Sequence, residues 1–181
     1  MITFLQYAML FAISALLSGF FVLAYDNIVV GKVPFKLLER DTIREILYRL
    51  DIDQKQTFID LGCGDGRVLI EATKLHPSLK CTGMEKAIFP FLLAKFKTRN
   101  YQNIQIIHGD IKKYNFTKYN IVFVYLLPDL LNELVPGIQK SMKSGNKLIS
   151  VQYKPDDLKA QDKYSLTNKS KFADRWFLYS L

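Results

Sequence analysis

An uninterrupted apolar run opens the chain. Residues 2–24 carry no charged side chain, and polar positions such as Gln6 and Ser14 are scattered within them. A helix of this length spans roughly 34 Å, enough for a hydrocarbon core of about 30 Å. The pattern therefore predicts a transmembrane anchor over residues 1–25. A signal peptide cleaved after Ala24 is the alternative, but no basic residue precedes the run and the run exceeds the usual signal-peptide core.

The rest of the chain alternates between helical and strand patterns. Apolar residues recur at helical spacing after Thr42-x-x-Glu45, a pattern typical of a capping box at the start of a helix. Residues 154–174 are polar and rich in lysine, which predicts a surface loop around one short strand. The predicted helices cover residues 42–50, 67–75, 86–98 and 130–142. The predicted strands cover 57–61, 79–84, 104–107, 121–125 and 148–153, with a closing antiparallel pair at 164–166 and 176–179.

This alternation predicts an α/β fold. We expect a Rossmann-like, doubly wound sheet that is mainly parallel, is closed by an antiparallel strand pair and is preceded by one N-terminal transmembrane helix. The predicted organisation is an anchor over residues 1–25, a linker or pre-domain segment over 26–41 and a globular domain over 42–181. In such sheets, ligands bind at the carboxyl ends of the strands, near the point where the strand order reverses.

Charge is confined to the chain after the apolar run. There are 25 Lys and Arg residues against 17 Asp and Glu, a formal net charge of +8, and none of them precedes Asp26. Lys32, Lys36, Arg40 and Arg44 follow the run closely, whereas no basic residue precedes it. The positive-inside rule therefore predicts a single-pass membrane protein whose domain lies on the cytoplasmic side.

The composition also limits the expected partners. Nineteen lysines outnumber six arginines, whereas nucleic-acid binding favours arginine and aromatic residues on one face, so nucleic acid is not an expected partner. Attraction to anionic lipid headgroups, worth about 1 kcal/mol per basic residue near the surface, is the simpler interpretation for a tethered domain, with a solvated face as the alternative. Cys63 and Cys81 are too few for a disulfide framework, and no metal site is expected.

A glycine-rich loop joins the first predicted strand to the next helix. It reads Asp60-Leu-Gly-Cys-Gly-Asp-Gly66, and its glycines let the backbone turn sharply and approach a ligand closely. Glu85 ends the second strand, where nucleotide-binding sheets place an acid that accepts hydrogen bonds from ribose hydroxyls. Asp110 follows the third strand. An ordinary tight turn and, for Asp110, a solvated turn residue are the alternatives.

The details of the loop distinguish two cofactors. In the dinucleotide fingerprint G-x-G-x-x-G the third glycine falls where this chain has Arg67,. Asp60 and Asp65 place carboxylates beside the loop, which suits a sulfonium, an ammonium and hydroxyls but repels a pyrophosphate. The loop therefore favours S-adenosylmethionine over a nicotinamide dinucleotide.

On these residues the sequence resembles the class I, seven-strand, S-adenosylmethionine-dependent methyltransferases. Residues 60–66 match their D-x-G-x-G-x-G motif, and the likeness extends from about residue 42 to the C-terminus. The resemblance implies that Asp60 and the loop hold the methionine moiety, that Glu85 accepts hydrogen bonds from the ribose hydroxyls and that Asp110 contacts the adenine. The implied cofactor-binding residues are Asp60, Gly62, Cys63, Gly64, Asp65, Gly66, Glu85, Asp110 and Ile111.

The end of the fourth strand faces the transferred methyl group in that family. Here it reads Tyr125-Leu126-Leu127-Pro128 and lacks the Asn/Asp/Ser-Pro-Pro-aromatic sequence of amide and nucleobase methylases. This ending, the Val33-Pro34-Phe35 stretch and the apolar N-terminus are similar to the protein lysine methyltransferases of archaea and mitochondria. That group includes membrane-anchored enzymes that act on ATP synthase c-subunit or adenine nucleotide translocase.

This second resemblance implies a lysine of a membrane or membrane-proximal protein as the methyl acceptor. Leu126, Leu127 and Pro128 are the predicted substrate channel. Tyr125 is the catalytic candidate, as the group that orients the amine, and a core aromatic at a strand end is its alternative interpretation.

Other functions stay open at the level of the sequence. The apolar ending of the fourth strand also suits a methyltransferase of a membrane lipid or of a quinone-type small molecule. A tethered, non-catalytic cofactor-binding module is a third possibility. An NAD-dependent oxidoreductase is a fourth, and Arg67 in place of a glycine disfavours it.

Overall fold

The computed structural model describes residues 3–25, 37–170 and 172–181. The predicted linker, up to residue 36, lies outside the described residues. This part includes Lys32, the Val33-Pro34-Phe35 stretch and Lys36. The apolar run forms one helix, α1 (Phe4–Tyr25), whose side chains are exposed over residues 4–21. Its length and composition suffice to cross a membrane, although a signal sequence near an N-terminus has the same properties.

The remaining elements alternate between helices and strands, as the sequence predicts. Most predicted boundaries agree with the structure within two residues, and β1 and α3 agree at both ends. The elements are α2 (Arg40–Tyr48), β1 (Thr57–Leu61), α3 (Arg67–Leu75), β2 (Lys80–Glu85), α4 (Ile88–Thr98), β3 (Ile104–His108), a short 3-10 helix (Ile111–Lys113), β4 (Ile121–Val124), α5 (Pro128–Ser141), β5 (Lys147–Val151), β6 (Asp162–Ser170) and β7 (Ala173–Ser180).

The strands form one seven-stranded sheet in the order β3-β2-β1-β4-β5-β7-β6. All neighbouring pairs are parallel except those that β7 makes with β5 and β6. The Rossmann-like, mainly parallel sheet with an antiparallel closing pair is therefore confirmed. The strand order reverses between β1 and β4, so the carboxyl ends of these two central strands border the ligand position of such sheets.

Helices cover both faces of the sheet because the central strands are apolar on both sides. Phe58 and Phe123 belong to a core with residues of α2, α3 and α4, whereas Ile59 and Val122 belong to a second core with residues of α5. Alternate residues of a strand point to opposite faces. Hence α4 and α5 lie on opposite sides of the sheet.

The start of α2 differs from the prediction. The helix begins at Arg40 after Glu39, no side chain caps it, and Thr42 is buried inside it. The predicted capping box is therefore wrong. The Glu45 carboxylate instead accepts hydrogen bonds from the backbone N–H of Thr167, at 2.9 and 3.0 Å, so it joins α2 to β6.

The segment over residues 154–174 also differs from the prediction. The sequence predicts a loop around a short strand, but β6 extends over nine residues and hydrogen-bonds with β7. Since β6 is at the edge of the sheet, polar side chains such as Asp162, Lys163 and Ser165 are exposed to solvent, and the sequence of the strand lacks a clear apolar alternation,. No helix lies between β5 and β6 in the described residues 152–161, which agrees with the short connection in the sequence.

Candidate active site

The glycine loop turns the chain from β1 into α3 at the centre of the sheet. Gly62, Gly64 and Gly66 have φ angles of +75°, +57° and +78°, a region that residues with a side chain rarely adopt,. The N–H groups of Gly62 and Cys63 donate to the Met84 carbonyl oxygen, at 2.9 and 3.0 Å. The loop is therefore fixed to the end of β2 by its backbone.

The loop also leaves bare backbone beside the sheet. A side chain at Gly62 would meet the Leu126 side chain at 3.2 Å, and one at Gly66 would meet Thr98 at 3.1 Å. Gly62 itself is exposed, whereas Cys63 is buried and burial raises the pKa of its thiol well above the ordinary value. A ligand can thus approach the main chain at Gly62, while the Cys63 side chain belongs to the core.

Glu85 ends β2 and is held by three backbone N–H groups. Its Oε2 accepts a hydrogen bond from Gly64 at 2.9 Å, and its Oε1 accepts from Lys86 at 2.9 Å and from Ala87 at 3.0 Å. These contacts join the glycine loop to the start of α4. Oε2, which has one donor, keeps a free acceptor site,, and an acceptor is what a hydroxyl donor of a ribose requires.

The Asp60 carboxyl group is buried at the end of β1 and only 3% exposed. In the described part of the chain no group donates a hydrogen bond to it. Burial raises the pKa of Asp60 well above its ordinary value, and the charges of Glu85 and Asp65 raise it further. A buried carboxylate is costly unless it has a partner. The site therefore fits a ligand that brings positive charge, such as an ammonium or a sulfonium.

Asp65 differs from Asp60 because its charge is already paired. Its carboxylate accepts two hydrogen bonds from Arg67, at 2.8 and 2.9 Å, and one from Lys97 at 2.6 Å. Although burial acts in the opposite direction, these cations lower the pKa of Asp65 to about 2. The ion pairs of Asp65 thus stabilise the loop. Asp60 is the carboxylate that faces the ligand position, and among the described residues it has no such cationic partner.

Asp110 and Ile111 follow β3, as the sequence predicts. The Asp110 side chain caps the short 3-10 helix by accepting from the Lys112 N–H at 3.1 Å, and it pairs with Lys86 Nζ at 2.9 Å. These contacts lower the pKa of Asp110 against the effect of its partial burial. Ile111 is buried. Lys86 directly follows Glu85 in the sequence, but it was not among the predicted site residues.

The end of β4 presents an aromatic hydroxyl and then leucines. Tyr125 donates its hydroxyl hydrogen to the Phe172 carbonyl oxygen at 3.2 Å, and burial, with a smaller contribution from Tyr153, raises the pKa of Tyr125 to about 12. Leu126 is buried against Gly62. Leu127 is partly buried, and Pro128 is the exposed first residue of α5.

The sheet therefore gathers the predicted site residues at one edge. The glycine loop, Glu85 at the end of β2, Asp110 after β3 and Tyr125 after β4 all lie at the carboxyl ends of four adjacent parallel strands. Two lysines in and before α4 were not predicted, namely Lys86 and Lys97. Their partners are 24 and 32 residues away in the chain, so no local pattern indicates these pairs.

Comparisons with known proteins agree with this geometry. The model of the ANTKMT methyltransferase domain family matches residues 60–162. A protein-lysine N-methyltransferase of Saccharolobus islandicus is 27% identical over 127 residues, which cover 68% of this chain and 79% of that protein.

Solved structures share the fold. An RNA methyltransferase of Salinibacter ruber in complex with S-adenosyl-L-homocysteine superposes with a TM-score of 0.73 at 20% identity, over 80% of this chain and 93% of that one. Human N-acetylserotonin methyltransferase in complex with S-adenosylmethionine has a TM-score of 0.54 at 20% identity, over 61% of this chain and 33% of that one. Both likenesses concern the fold.

Proposed function

The chain belongs to the ANTKMT methyltransferase domain family and is a class I S-adenosylmethionine-dependent methyltransferase, and we propose that its methyl acceptor is a lysine amine of a membrane or membrane-proximal protein. The observation that carries this proposal is the likeness to the archaeal protein-lysine methyltransferase. The chain also lacks the polar Pro-Pro-aromatic ending that amide and nucleobase methylases carry after the fourth strand.

The residues around the glycine loop are suited to hold S-adenosylmethionine, which supplies a methyl group on a positively charged sulfur. We propose that the Asp60 carboxylate pairs with the positive charge of the methionine moiety at the bare backbone of Gly62. Glu85, already oriented by three N–H groups, accepts hydrogen bonds from the ribose hydroxyls. Asp110 and Ile111 border the adenine position.

A lysine acceptor reacts as the neutral amine and must therefore lose a proton to water before methyl transfer. Its ordinary pKa of about 10.4 means that it arrives protonated at neutral pH. The surroundings at the end of β4 are largely apolar, and a nearby positive charge also disfavours an ammonium. Positioning of the neutral amine in line with the methyl group supplies most of the acceleration that such a reaction needs.

Tyr125 is suited to position that amine. Its hydroxyl stays protonated at neutral pH because its pKa is raised to about 12. The hydroxyl hydrogen is directed to the Phe172 carbonyl oxygen, so the remaining lone pairs can accept a hydrogen bond from an amine N–H. We therefore assign Tyr125 the orienting role, without a dedicated general base.

Replacement of Tyr125 with phenylalanine tests this role. We expect kcat to fall by about tenfold to a hundredfold, because the amine loses its orienting acceptor, while the affinity for S-adenosylmethionine measured by calorimetry stays unchanged. Tyr48→Phe is the matched control, since Tyr48 is 72% exposed on α2. Unchanged turnover of Tyr125→Phe would remove this side chain from the mechanism.

The membrane part of the proposal concerns α1. We propose that α1 is an uncleaved, single-pass anchor and that the catalytic domain, beginning near residue 42 after the 26–41 linker, lies on the cytoplasmic side. The exposed apolar side chains of α1 support this, as do the basic residues that follow it in the sequence. Such an anchor places the site next to acceptors at the membrane surface.

The acceptor is identified by transfer of a labelled methyl group. The purified full chain is incubated with membranes from the source cells and radiolabelled S-adenosylmethionine, and the products are separated into protein and lipid. We expect the label in protein and, after hydrolysis, in methyl-lysine. A preparation with Asp60→Asn controls for other methyltransferases in the membranes. Label in lipid alone would assign the enzyme to lipid or quinone methylation, and the absence of added label in both fractions would favour a non-catalytic binding module.

A further inference from the structure

The outward side of α4 is apolar although it lies on the surface of the domain. The helix packs against β2 and β3 and buries Ala94 and Thr98. Leu92 and Phe96 point the opposite way and are 55% and 63% exposed, and Phe89, one turn earlier, is 50% exposed. A surface helix normally carries polar residues opposite its buried side. These three residues, spaced i, i+3 and i+7, form what is called here the outer face of α4.

Positive charge borders the outer face of α4. The Arg99 guanidinium lies 4.1 Å from the centre of the Phe96 ring, and Lys95 Nζ lies 5.6 Å from the centre of the Phe91 ring. The sequence of α4 contains no acidic residue. Lys97 does not add to the positive charge beside the outer face of α4, because its Nζ pairs with Asp65. Aromatic and leucine side chains flanked by cations are typical of a helix that lies in the interface of an anionic membrane.

The neighbour of α4 indicates which partner covers this face. Helix α1 contacts α4, and it is uncharged and long enough to cross a bilayer. A bilayer that contains α1 therefore lies next to α4. A soluble protein partner would not account for this arrangement of two exposed apolar helices side by side, nor for the cationic margin.

We propose that the outer face of α4 docks on the surface of an anionic lipid bilayer and that it fixes the orientation of the catalytic domain there. This inference rests on the proposed membrane anchoring by α1. Helix α4 begins directly after Glu85, Lys86 and Ala87, which border the cofactor position. Docking through α4 therefore holds the carboxyl ends of the strands at a fixed distance from the bilayer surface, where a lysine next to the membrane can reach the site.

A fluorescent probe on α4 tests the proposal in the full chain. Leu92→Cys is labelled with an environment-sensitive fluorophore and reconstituted into phosphatidylcholine vesicles that contain phosphatidylglycerol. Cys63 and Cys81 are only 5% and 2% exposed, so labelling is selective, and the unsubstituted chain measures the background. Gln139→Cys is the matched control, since it is exposed on α5 at the other face of the sheet.

We expect the fluorophore at Leu92→Cys to show a blue-shifted emission. Lipids with nitroxide-bearing acyl chains should quench it about two or more times as strongly as they quench the fluorophore at Gln139→Cys. Removal of phosphatidylglycerol should reduce the difference. Protein that floats with the vesicles but shows equal quenching at both positions would overturn the docking surface and leave the α1 anchor intact. Protein that does not float at all would contradict both.

A pair of substitutions supplies an independent readout. The double change Leu92→Glu and Phe96→Glu should lower the rate on a membrane-embedded acceptor severalfold while the calorimetric affinity for S-adenosylmethionine is retained. Gln139→Glu combined with Lys140→Gln, both at exposed positions of α5, is the control because it changes the net charge by the same two units. Equal rates for the double variant and this control would contradict the proposal, even if methyl transfer to lysine itself is established.

Discussion

Replacement of Asp60 with asparagine is expected to weaken binding of S-adenosylmethionine and to stabilise the unliganded protein. Loss of one partner of a buried charge pair costs about 3 kcal/mol or more, which corresponds to about a hundredfold in affinity. The unliganded enzyme, by contrast, is relieved of a buried carboxylate without a hydrogen-bond donor in the described residues. We expect a gain of about 1–3 kcal/mol in the free energy of unfolding. Calorimetry and thermal unfolding measure the two effects.

The same substitution has a defined pH dependence. The pKa of Asp60 is raised in the folded protein above its unfolded value of about 3.9, so the folded state binds this proton more tightly. Stability from this group is present below the unfolded pKa and is lost as pH rises through the folded pKa. The advantage of Asp60→Asn over the wild type should therefore grow as pH rises from about 4.

The control for Asp60→Asn is Asp157→Asn, because Asp157 is exposed in a turn between β5 and β6. It should change neither the stability nor the affinity. The interpretation of Asp60 as the partner of the positive charge fails if Asp60→Asn binds the donor as well as the wild type. It also fails if the asparagine variant is less stable than the wild type at neutral pH.

Replacement of Gly83 with alanine is expected to destabilise the fold directly behind the glycine loop. Gly83 lies in the middle of β2, and a Cβ atom there would come within 2.6 Å of Leu69 Cδ1, 2.7 Å of Cys63 Sγ and 3.0 Å of Cys63 Cβ. Overpacking of this kind costs about 1–3 kcal/mol, a fall in Tm of about 2–4 °C for each kcal/mol in a chain of this size. Thermal and urea unfolding measure it.

Two further variants make the cause of this loss testable. Cys63→Ala, added to Gly83→Ala, removes the sulfur atom and should restore part of the stability. Gly137→Ala is the matched control: nothing lies within 4 Å of its added methyl group, and alanine in the exposed part of α5 should stabilise by up to about 1 kcal/mol. If Gly83→Ala is as stable as Gly137→Ala, close packing of β2 against the loop is not what requires glycine.

The apolar periodicity of the sequence predicted the order of the elements and the sheet because the central strands are buried on both faces. The predicted boundaries of β1 and α3 agree with the structure at both ends. A short apolar run leads there into a turn whose positive φ angles favour glycine. At the edge of the sheet, apolar periodicity did not predict the structure. Nine-residue β6 is polar, and α2 begins without a side-chain cap, while Glu45 within α2 accepts its hydrogen bonds from β6.

The sequence by itself therefore determined the fold, the glycine loop and the positions of Asp60, Glu85 and Asp110 at the strand ends, because each depends on local pattern and on strand order. Only the tertiary structure decided which charged side chains pair with the acids around the site. Lys97 pairs with Asp65, Lys86 pairs with Asp110, and both pairs join residues far apart in the chain. The structure likewise showed that α4 is apolar on its outward side, because only packing against β2 and β3 reveals which side of a helix is buried.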